Sequence, residues 1–165
     1  MRVGRILKHL LLPDWWVRRP LPKRTVLAIE RAVTESERRH CGELRFVFDA
    51  TLPLSDLWHD LPTRESAVDA FSRWRVWDTE HNSGVLIYVQ MLDRRVEIVA
   101  DRGIDARVDE DYWRRVCERM EAFFARGEFE AGCLAALKEI TETLATHFPA
   151  SANDTNELPD RPIVH

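Results

Sequence analysis

Polar side chains that could bind a cation stand at both ends of a predicted hairpin. The segment HNSGVLIYVQMLDRRVEIVADRG, residues 81–103, holds two apolar runs joined by a short charged turn. Folding such a hairpin brings its first and last residues together. Carboxylate and amide oxygens are the ligands that Ca²⁺ and Mg²⁺ prefer. The oxygen ligands predicted for a divalent cation are Asp78, Glu80, Asn82 and Asp101.

Neighbouring residues could support this site, and each also has an ordinary structural interpretation. The supporting residues predicted are Glu43, His81, Arg102 and Gly103. Asn82 suits a turn before a strand, and Gly103 suits a backbone with positive φ. Glu43 suits a surface ion pair with Arg45 or Arg102. Taken singly, these structural roles explain the residues as well as a binding site does.

Several established chemistries need motifs that the sequence lacks. No cysteine begins a Cys-x5-Arg phosphatase motif, and the Asp-x-Asp pair at 109–111 opens a predicted helix. Phosphate-binding glycine loops, Gly-x-Ser-x-Gly and His-Glu-x-x-His do not occur. The segment from Asp101 fails as an EF-hand because Tyr112 stands where the bidentate Glu is needed. Zinc bound by His40, Cys41 and His81 is allowed by ligand type, but no spacing signature supports it.

The apolar patterns predict the elements that must position these residues. Buried strands are predicted at residues 43–50, 83–90 and 94–103. Helices are predicted from Thr25 to near Gly42, from 62 to about 74, and over 110–127 and 129–148. Thr25 is expected to cap the first helix, and Gly42 to end it with a left-handed residue.

These elements predict an α/β/α class fold, a three-layer sandwich with helices on both faces of a small mixed sheet. The first two strands are joined through a helix and should run parallel by a crossover, whereas the second and third form an antiparallel hairpin. The starts of strands one and two then share one edge of the sheet with the end of strand three. The predicted cation ligands all lie at this edge.

The predicted organisation is an arm at 1–24, a domain at 25–149 and a disordered tail at 150–165. The arm is basic and amphipathic, and it could contact an anionic membrane surface. The residues predicted for that contact are Arg2, Arg5, Lys8, Trp15 and Trp16. The alternative is that its apolar side packs on the domain or on a second copy. The tail has too few apolar residues to order itself by burial.

Charge and cysteine content narrow the partners and the compartment. The formal net charge is −4, and residues 1–24 carry seven Lys or Arg and one acid, which leaves about −10 for the remainder. An acidic body disfavours nucleic acid as a partner. Three cysteines without a Cys-x-x-Cys pair indicate reduced thiols. The arm resembles neither a cleavable signal nor a membrane span, so we expect a cytoplasmic protein. If the protein associates with a membrane, we expect it to bind peripherally at the inner membrane.

The pattern resembles one known family. RVWDTEHNSGVLIYVQ, the hairpin into VEIVADRGI and the helix pair FFARGEFEAGCLAALKEI resemble the TPM domain family, formerly a domain of unknown function, from about Thr25 to Phe148. The most specific pieces are the strand entry at residues 82–86, the strand exit at 100–103 and the helix link at 124–129. Within the family this chain resembles a short bacterial member of cytoplasmic type.

The resemblance implies a three-layer α/β/α domain and a choice of functions. Phosphatase activity, divalent-cation binding and membrane-protein maintenance have been ascribed to members. We expect this chain to depart from many relatives by having neither a signal nor a C-terminal membrane span, and Asp105 stands where a second glycine is frequent.

The predicted site and the family resemblance lead to two hypotheses for the function. One is a binding or adaptor module that takes a divalent cation, calcium or magnesium, at the Glu43/Asn82/Asp101 edge. The alternative is a metal-assisted phosphomonoesterase, with Asp78, Asn82 and Asp101 holding the metal and Arg102 balancing the charge of the phosphoryl group.

Overall fold

A computed structural model describes residues 19–50, 62–151 and 156–165 of the chain. Its helices are α1 (Lys23–Glu37), α2 (Thr63–Arg73), α3 (Arg102–Asp105), α4 (Tyr112–Ala125) and α5 (Phe129–His147). Its strands are β1 (Leu44–Asp49), β2 (Val85–Gln90), β3 (Arg95–Ala100) and β4 (Ile163–Val164). Of the predicted arm at 1–24, residues 1–18 lie outside the described residues, whereas Lys23 and Arg24 belong to α1.

The strands form one sheet in the order β3-β2-β1-β4. β1 and β2 run parallel, with Leu44 opposite Val85, and β2 and β3 run antiparallel, with Val85 opposite Ala100. The predicted mixed sheet, with one parallel crossover and one antiparallel hairpin, is therefore confirmed. The fourth strand, which runs parallel to β1, was not predicted from the sequence.

Helices cover both faces of the sheet, as predicted for three layers. Alternate residues of β1 point to opposite faces because the side-chain period of a strand is two. Phe46 and Phe48 join the core beneath α1, α4 and α5, whereas Val47 joins a second core with Ala67 and Ala70 of α2. Full burial of each large apolar side chain contributes about 1.5–3 kcal/mol. The two cores hold the strand ends in place.

Two predicted signals around α1 are wrong. The helix begins at Lys23, two residues before the expected cap, and the Thr25 hydroxyl donates to Glu130 Oε2 at 2.5 Å instead. Gly42 lies beyond the end of the helix and does not have positive φ. A Cβ atom there would lie 2.7 Å from Leu144 Cδ2 and 3.2 Å from Ser83 O, so the Leu144 side chain would have to shift. Close packing against α5 therefore favours glycine at this position.

The structure also differs from the predicted disordered tail at residues 156–165. Leu158 and Pro162 are buried, and β4 pairs with Val47 and Phe48 of β1. His165 N–H donates to Phe48 O at 2.9 Å, and Ala50 N–H donates to His165 O at 3.0 Å. A segment with few apolar residues can still be ordered when its main chain forms hydrogen bonds with a free strand edge. We call residues 156–165 the closing segment.

In the ranges that the structure describes, no helix is both long enough and apolar enough to cross a membrane.

Candidate functional site

The structure brings the two ends of the hairpin together. Gly103 N–H donates to Asn82 O at 2.9 Å, and Asp101 N–H donates to Gly84 O at 2.8 Å. Asn82 has φ 51°, a left-handed conformation that Asn tolerates better than most residues. The predicted positive φ at Gly103 is wrong. A Cβ atom at Gly103 would instead lie 2.4 Å from Asn82 O and 2.6 Å from His81 O, so close approach of two backbones requires glycine.

The predicted cation ligands differ in their surroundings at this edge. Asp101 Oδ1 accepts from the Arg102 N–H at 2.7 Å and begins α3, while Asp101 Oδ2 is buried without a hydrogen-bond partner. Asp78 pairs with Arg75 at 2.5 Å, and Glu80 is exposed. Among the residues with described positions, no three His, Cys, Asp or Glu side chains form a group that could hold a metal ion. The set with Asn82 therefore stays a prediction.

The remaining predicted residues occupy different environments. His81 and Arg102 are exposed, whereas Glu43 is buried with 4% of its surface accessible. Glu43 Oε1 accepts from the Glu157 N–H at 2.9 Å, and Oε2 accepts from the Leu158 N–H at 3.2 Å. The surface position expected for Glu43 is therefore wrong. Its carboxylate anchors the closing segment, because charge-assisted hydrogen bonds to backbone N–H groups are among the strong ones.

An acidic cavity adjoins Glu43. It has a volume of about 300 Å³ and is formed by the end of α1, the residues before β1 and the closing segment. The polar residues of this acidic cavity are Thr34, Glu37, Arg38, His40, Glu43, Ser151, Asn156 and Asp160, so three carboxylates stand beside a single guanidinium. Three carboxylates from three separate parts of the chain therefore face one small space.

Glu37 is the most strongly perturbed acid of this cavity. Burial raises its pKa to about 9, with the charges of Glu43 and Asp160 acting in the same direction. Asn156 Nδ2 donates to Glu37 Oε2 at 3.3 Å and to Asp160 Oδ1 at 2.6 Å. Glu37 Oε1 is buried without a hydrogen-bond donor, and a proton on it lets this carboxyl donate to Asp160. The cavity therefore holds a proton at neutral pH.

His40 connects the cavity to a buried hydrogen-bond chain. Thr141 Oγ1 donates to Leu137 O at 2.6 Å, so Ser36 must donate to Thr141, at 2.6 Å. His40 Nε2–H then donates to Ser36 Oγ at 2.7 Å. Burial lowers the pKa of His40 to about 4, so the ring is neutral. Its Nδ1 keeps a lone pair with no hydrogen-bond partner of good geometry.

The direction of these hydrogen bonds decides whether Ser36 can act as a nucleophile. A serine becomes a nucleophile when a neighbouring base accepts its proton. Here Ser36 Oγ accepts a hydrogen bond from His40 and donates to Thr141, so His40 does not activate it. The Cys117 and Cys133 thiols are likewise inert, because burial raises the pKa of Cys117 to about 12 and that of Cys133 still further.

The sequence predicted only part of this cavity. His40 and Glu43 were expected at the correct edge of the sheet. Glu37 lay within the first predicted helix with no role proposed for it, and Asn156 and Asp160 lay in the predicted tail. A usable signal was present in Glu37 and His40, which stand three residues apart immediately before a buried strand with Glu43.

The fold and these residues define a three-layer α/β/α domain with an acidic sheet edge. The family model described as TPM domain matches residues 21–143, and the chain belongs to this family. The structure is similar to the NMR structure of BA42 protein from the psychrophilic bacteria Bizionia argentinensis sp. nov., with 27% identity and a TM-score of 0.77. That match covers 88% of this chain and 95% of the other. No curated protein matches the sequence.

Proposed function

We propose that the domain is a binding module and that its acidic cavity takes a divalent cation. The observation that carries this proposal is the convergence of Glu37, Glu43 and Asp160 on one cavity. A cation can replace the proton that these carboxylates retain, because metal ligands must be deprotonated to bind. Hard oxygen ligands favour calcium or magnesium. The unpartnered Nδ1 of His40 offers one additional lone pair.

Binding in this cavity requires a local rearrangement. Since no three described acids, histidines or cysteines already form a metal-holding group, the carboxylates must move toward the ion after Glu37 loses its proton. Affinity should therefore increase with pH below the pKa of about 9. The closing segment supplies Asn156 and Asp160, so the ion would also tie that segment to α1.

A binding role agrees better with the described residues than an enzymatic one. Ser36 is oriented as an acceptor from His40, and the thiols of Cys117 and Cys133 are protonated at neutral pH. None of these three side chains is therefore an activated nucleophile. Covalent catalysis needs such a group.

A cation titration tests the proposal. ¹⁵N-labelled protein is titrated with calcium, magnesium, manganese and zinc in turn, with amide shifts or line broadening as the readout. We expect the changes to centre on Glu37, Glu43 and Asp160 and to be lost in Glu37→Gln. Glu35→Gln, on the same helix and exposed, is the matched control. Absence of any change, or retention of the full response in Glu37→Gln, would rule out the cavity.

The hairpin-end ligands provide the competing location. Asp101 Oδ2 is a buried oxygen without a partner, so an ion beside Asn82 is the specific alternative. Asp101→Asn separates the two locations. Loss of the cation response in Asp101→Asn, with Glu37→Gln unaffected, would move the site to the end of the hairpin.

A metal-assisted phosphomonoesterase is the second candidate function. The family resemblance suggests it, and a bound cation would polarise a phosphoryl oxygen. Hydrolysis of p-nitrophenyl phosphate by purified protein, with each cation, tests this activity. Cation-dependent turnover that Asp101→Ala and Asp78→Ala abolish would support the site with Arg102. Absence of turnover would favour the binding module.

Peripheral membrane contact through the arm is a separate part of the proposal. Residues 2, 5 and 8 are basic and residues 15 and 16 are tryptophans, which suit a cytoplasmic anionic surface. We expect vesicles with anionic lipid to retain the protein, and salt to weaken this retention. The matched variant replaces Arg2, Arg5 and Lys8 by Gln. Equal retention of both proteins would exclude this contact.

A further inference from the structure

The domain holds the closing segment by contacts that recognise extended backbone. Glu43 accepts from two successive N–H groups, those of Glu157 and Leu158. Arg45 donates to the carbonyl of Pro159. Beyond them, β1 pairs with β4 in a parallel ladder. None of these hydrogen bonds depends on the side chains of the segment, which is the mode in which sheet edges bind added peptide strands.

The charged groups used for this recognition are unusually buried. Glu43 is 4% exposed and Arg45 is 8% exposed. Burial of a charge is costly unless the charge is fully hydrogen-bonded. Arg45 Nε, however, is buried without a partner, so the closing segment leaves one strong donor of its binding surface unused. We call this surface, which runs from Glu43 and Arg45 along the edge of β1, the groove. A different extended peptide could satisfy this donor better.

Side-chain positions along the groove define the chemistry of an occupant. Leu158 fills an apolar position beside Val47 and Leu86. Two residues later, Asp160 Oδ2 accepts from Thr34 Oγ1 at 2.5 Å. Arg45 lies near enough for its charge to interact with Asp160. The groove therefore selects a bulky apolar residue and, two residues further, a carboxylate.

We propose that the β1 edge is a strand-addition site for an extended segment of a partner protein, and that the closing segment is its intramolecular occupant. The partner segment carries a bulky apolar residue at the place of Leu158, a carboxylate at the place of Asp160 and β-branched apolar residues at the places of Ile163 and Val164. It runs parallel to β1. This site shares Glu43 and Asp160 with the acidic cavity, but strand addition itself requires no cation.

A peptide of this chemistry is available in the chain itself. The test uses fluorescent peptide of residues 156–165 and full-length Leu158→Asp protein, in which a charge cannot occupy the apolar position. We expect this variant to bind the peptide at least tenfold more tightly than the wild type, with NMR shifts at Arg45, Val47 and Phe48. The peptide that itself carries Leu158→Asp should bind neither protein.

Three results would overturn the proposal. The first is no binding to a folded Leu158→Asp protein. The second is equal binding to both proteins, which would place the peptide elsewhere. The third is a concentration-dependent dimer of the wild type that Leu158→Asp abolishes, which would assign the edge to a second copy of this chain.

A measurement on the wild type keeps the test valid if the variant does not fold. Excess unlabelled peptide is added to ¹⁵N-labelled wild-type protein. Displacement should move the Leu158 and His165 amide resonances to unstructured positions, while Val85 and Met91 keep theirs. Unchanged Leu158 and His165 resonances at saturating peptide would contradict exchange at this edge.

Discussion

The two edges of the sheet are closed in different ways. At the β3 edge, side chains cap single backbone groups: Glu121 Oε1 accepts from the Val96 N–H at 3.0 Å, and Arg64 donates to the Ile98 carbonyl. At the β1 edge, another length of backbone forms the cover. Exposed edges invite pairing with other chains, and both arrangements prevent it.

The difference lies in what must move to reopen each edge. Glu121 belongs to α4, whose Val116, Met120 and Phe124 are buried in the main core. Opening the β3 edge by moving that helix would therefore disrupt the core. The closing segment contributes Leu158 to the second core and two residue pairs to the sheet. We therefore expect the β1 cover to leave at a lower cost than the β3 cover, as a cooperative unit of low stability does.

Truncation of Leu158 should produce the largest difference in stability between the closing segment and the rest of the sheet. Leu158→Ala removes buried methyl groups and should cost the docked segment about 2–3 kcal/mol. Native-state hydrogen exchange should show the Ala50 and His165 amides exchanging about 30- to 150-fold faster, since 1.4 kcal/mol is tenfold. Met91 N–H, which donates to Asp49 O within the sheet, should change little. Val68→Ala, at an exposed position, is the control. Equal acceleration at Met91 would show that the segment is not a separate unit.

Removal of a cap at the β3 edge should have a smaller effect, spread over the whole domain. Glu121→Ala leaves the Val96 N–H without its acceptor and should lower the free energy of unfolding by about 1 kcal/mol. Glu118→Ala is matched for residue type and helix, and it removes only an exposed pair with Arg114. That loss should stay within about 0.5 kcal/mol. Equal losses in urea unfolding would show that the Val96 cap contributes nothing specific.

Glu37 should make the β1 edge sensitive to pH. Its folded-state pKa is raised from 4.5 to about 9, so between these values the folded chain retains a proton that the unfolded chain releases. Stability therefore falls as pH rises through this window. Glu37→Gln mimics the protonated group and should flatten the slope. Exchange of the Leu158 amide should be slower in Glu37→Gln than in wild type at pH 8–9, and the difference should shrink as pH falls toward 5.

A matched comparison locates this pH effect. Burial also raises the pKa of Glu97 on β3. Glu97→Gln should alter the pH dependence of Val96 exchange but not that of Leu158. A Leu158 response of the same size in both variants would indicate a general charge effect instead of one at the β1 edge.

The sequence predicted the parts of this fold that depend on local patterns. Long apolar runs indicated β1, β2 and β3 because buried strands need continuous apolar residues. Pro62 marked the start of α2, and Gly127, with φ 80°, follows the end of α4 as its stop signal required. The ends of the hairpin met as expected because antiparallel pairing fixes which residues are opposite each other.

The missing parts depend on contacts between distant residues. The closing segment orders through backbone hydrogen bonds and one buried leucine, which composition does not reveal. Glu37 became part of the acidic cavity only because Asp160 lies against it, and no local pattern links these two residues. Glu43 is buried because two backbone N–H groups of the closing segment donate to its carboxylate, and no local pattern around Glu43 indicates these donors.

The pairing of β4 with β1 also has a consequence for the order of folding. Val47 and Ile163 are more than a hundred residues apart, whereas Val47 and Tyr88, its partner on β2, are about forty apart. Closing the longer loop has the larger entropic cost, and the two-pair ladder offsets little of it. We therefore expect the sheet to gain its fourth strand last, after both cores have formed. Every newly made molecule then passes through a folded stage in which the β1 edge is open to other chains.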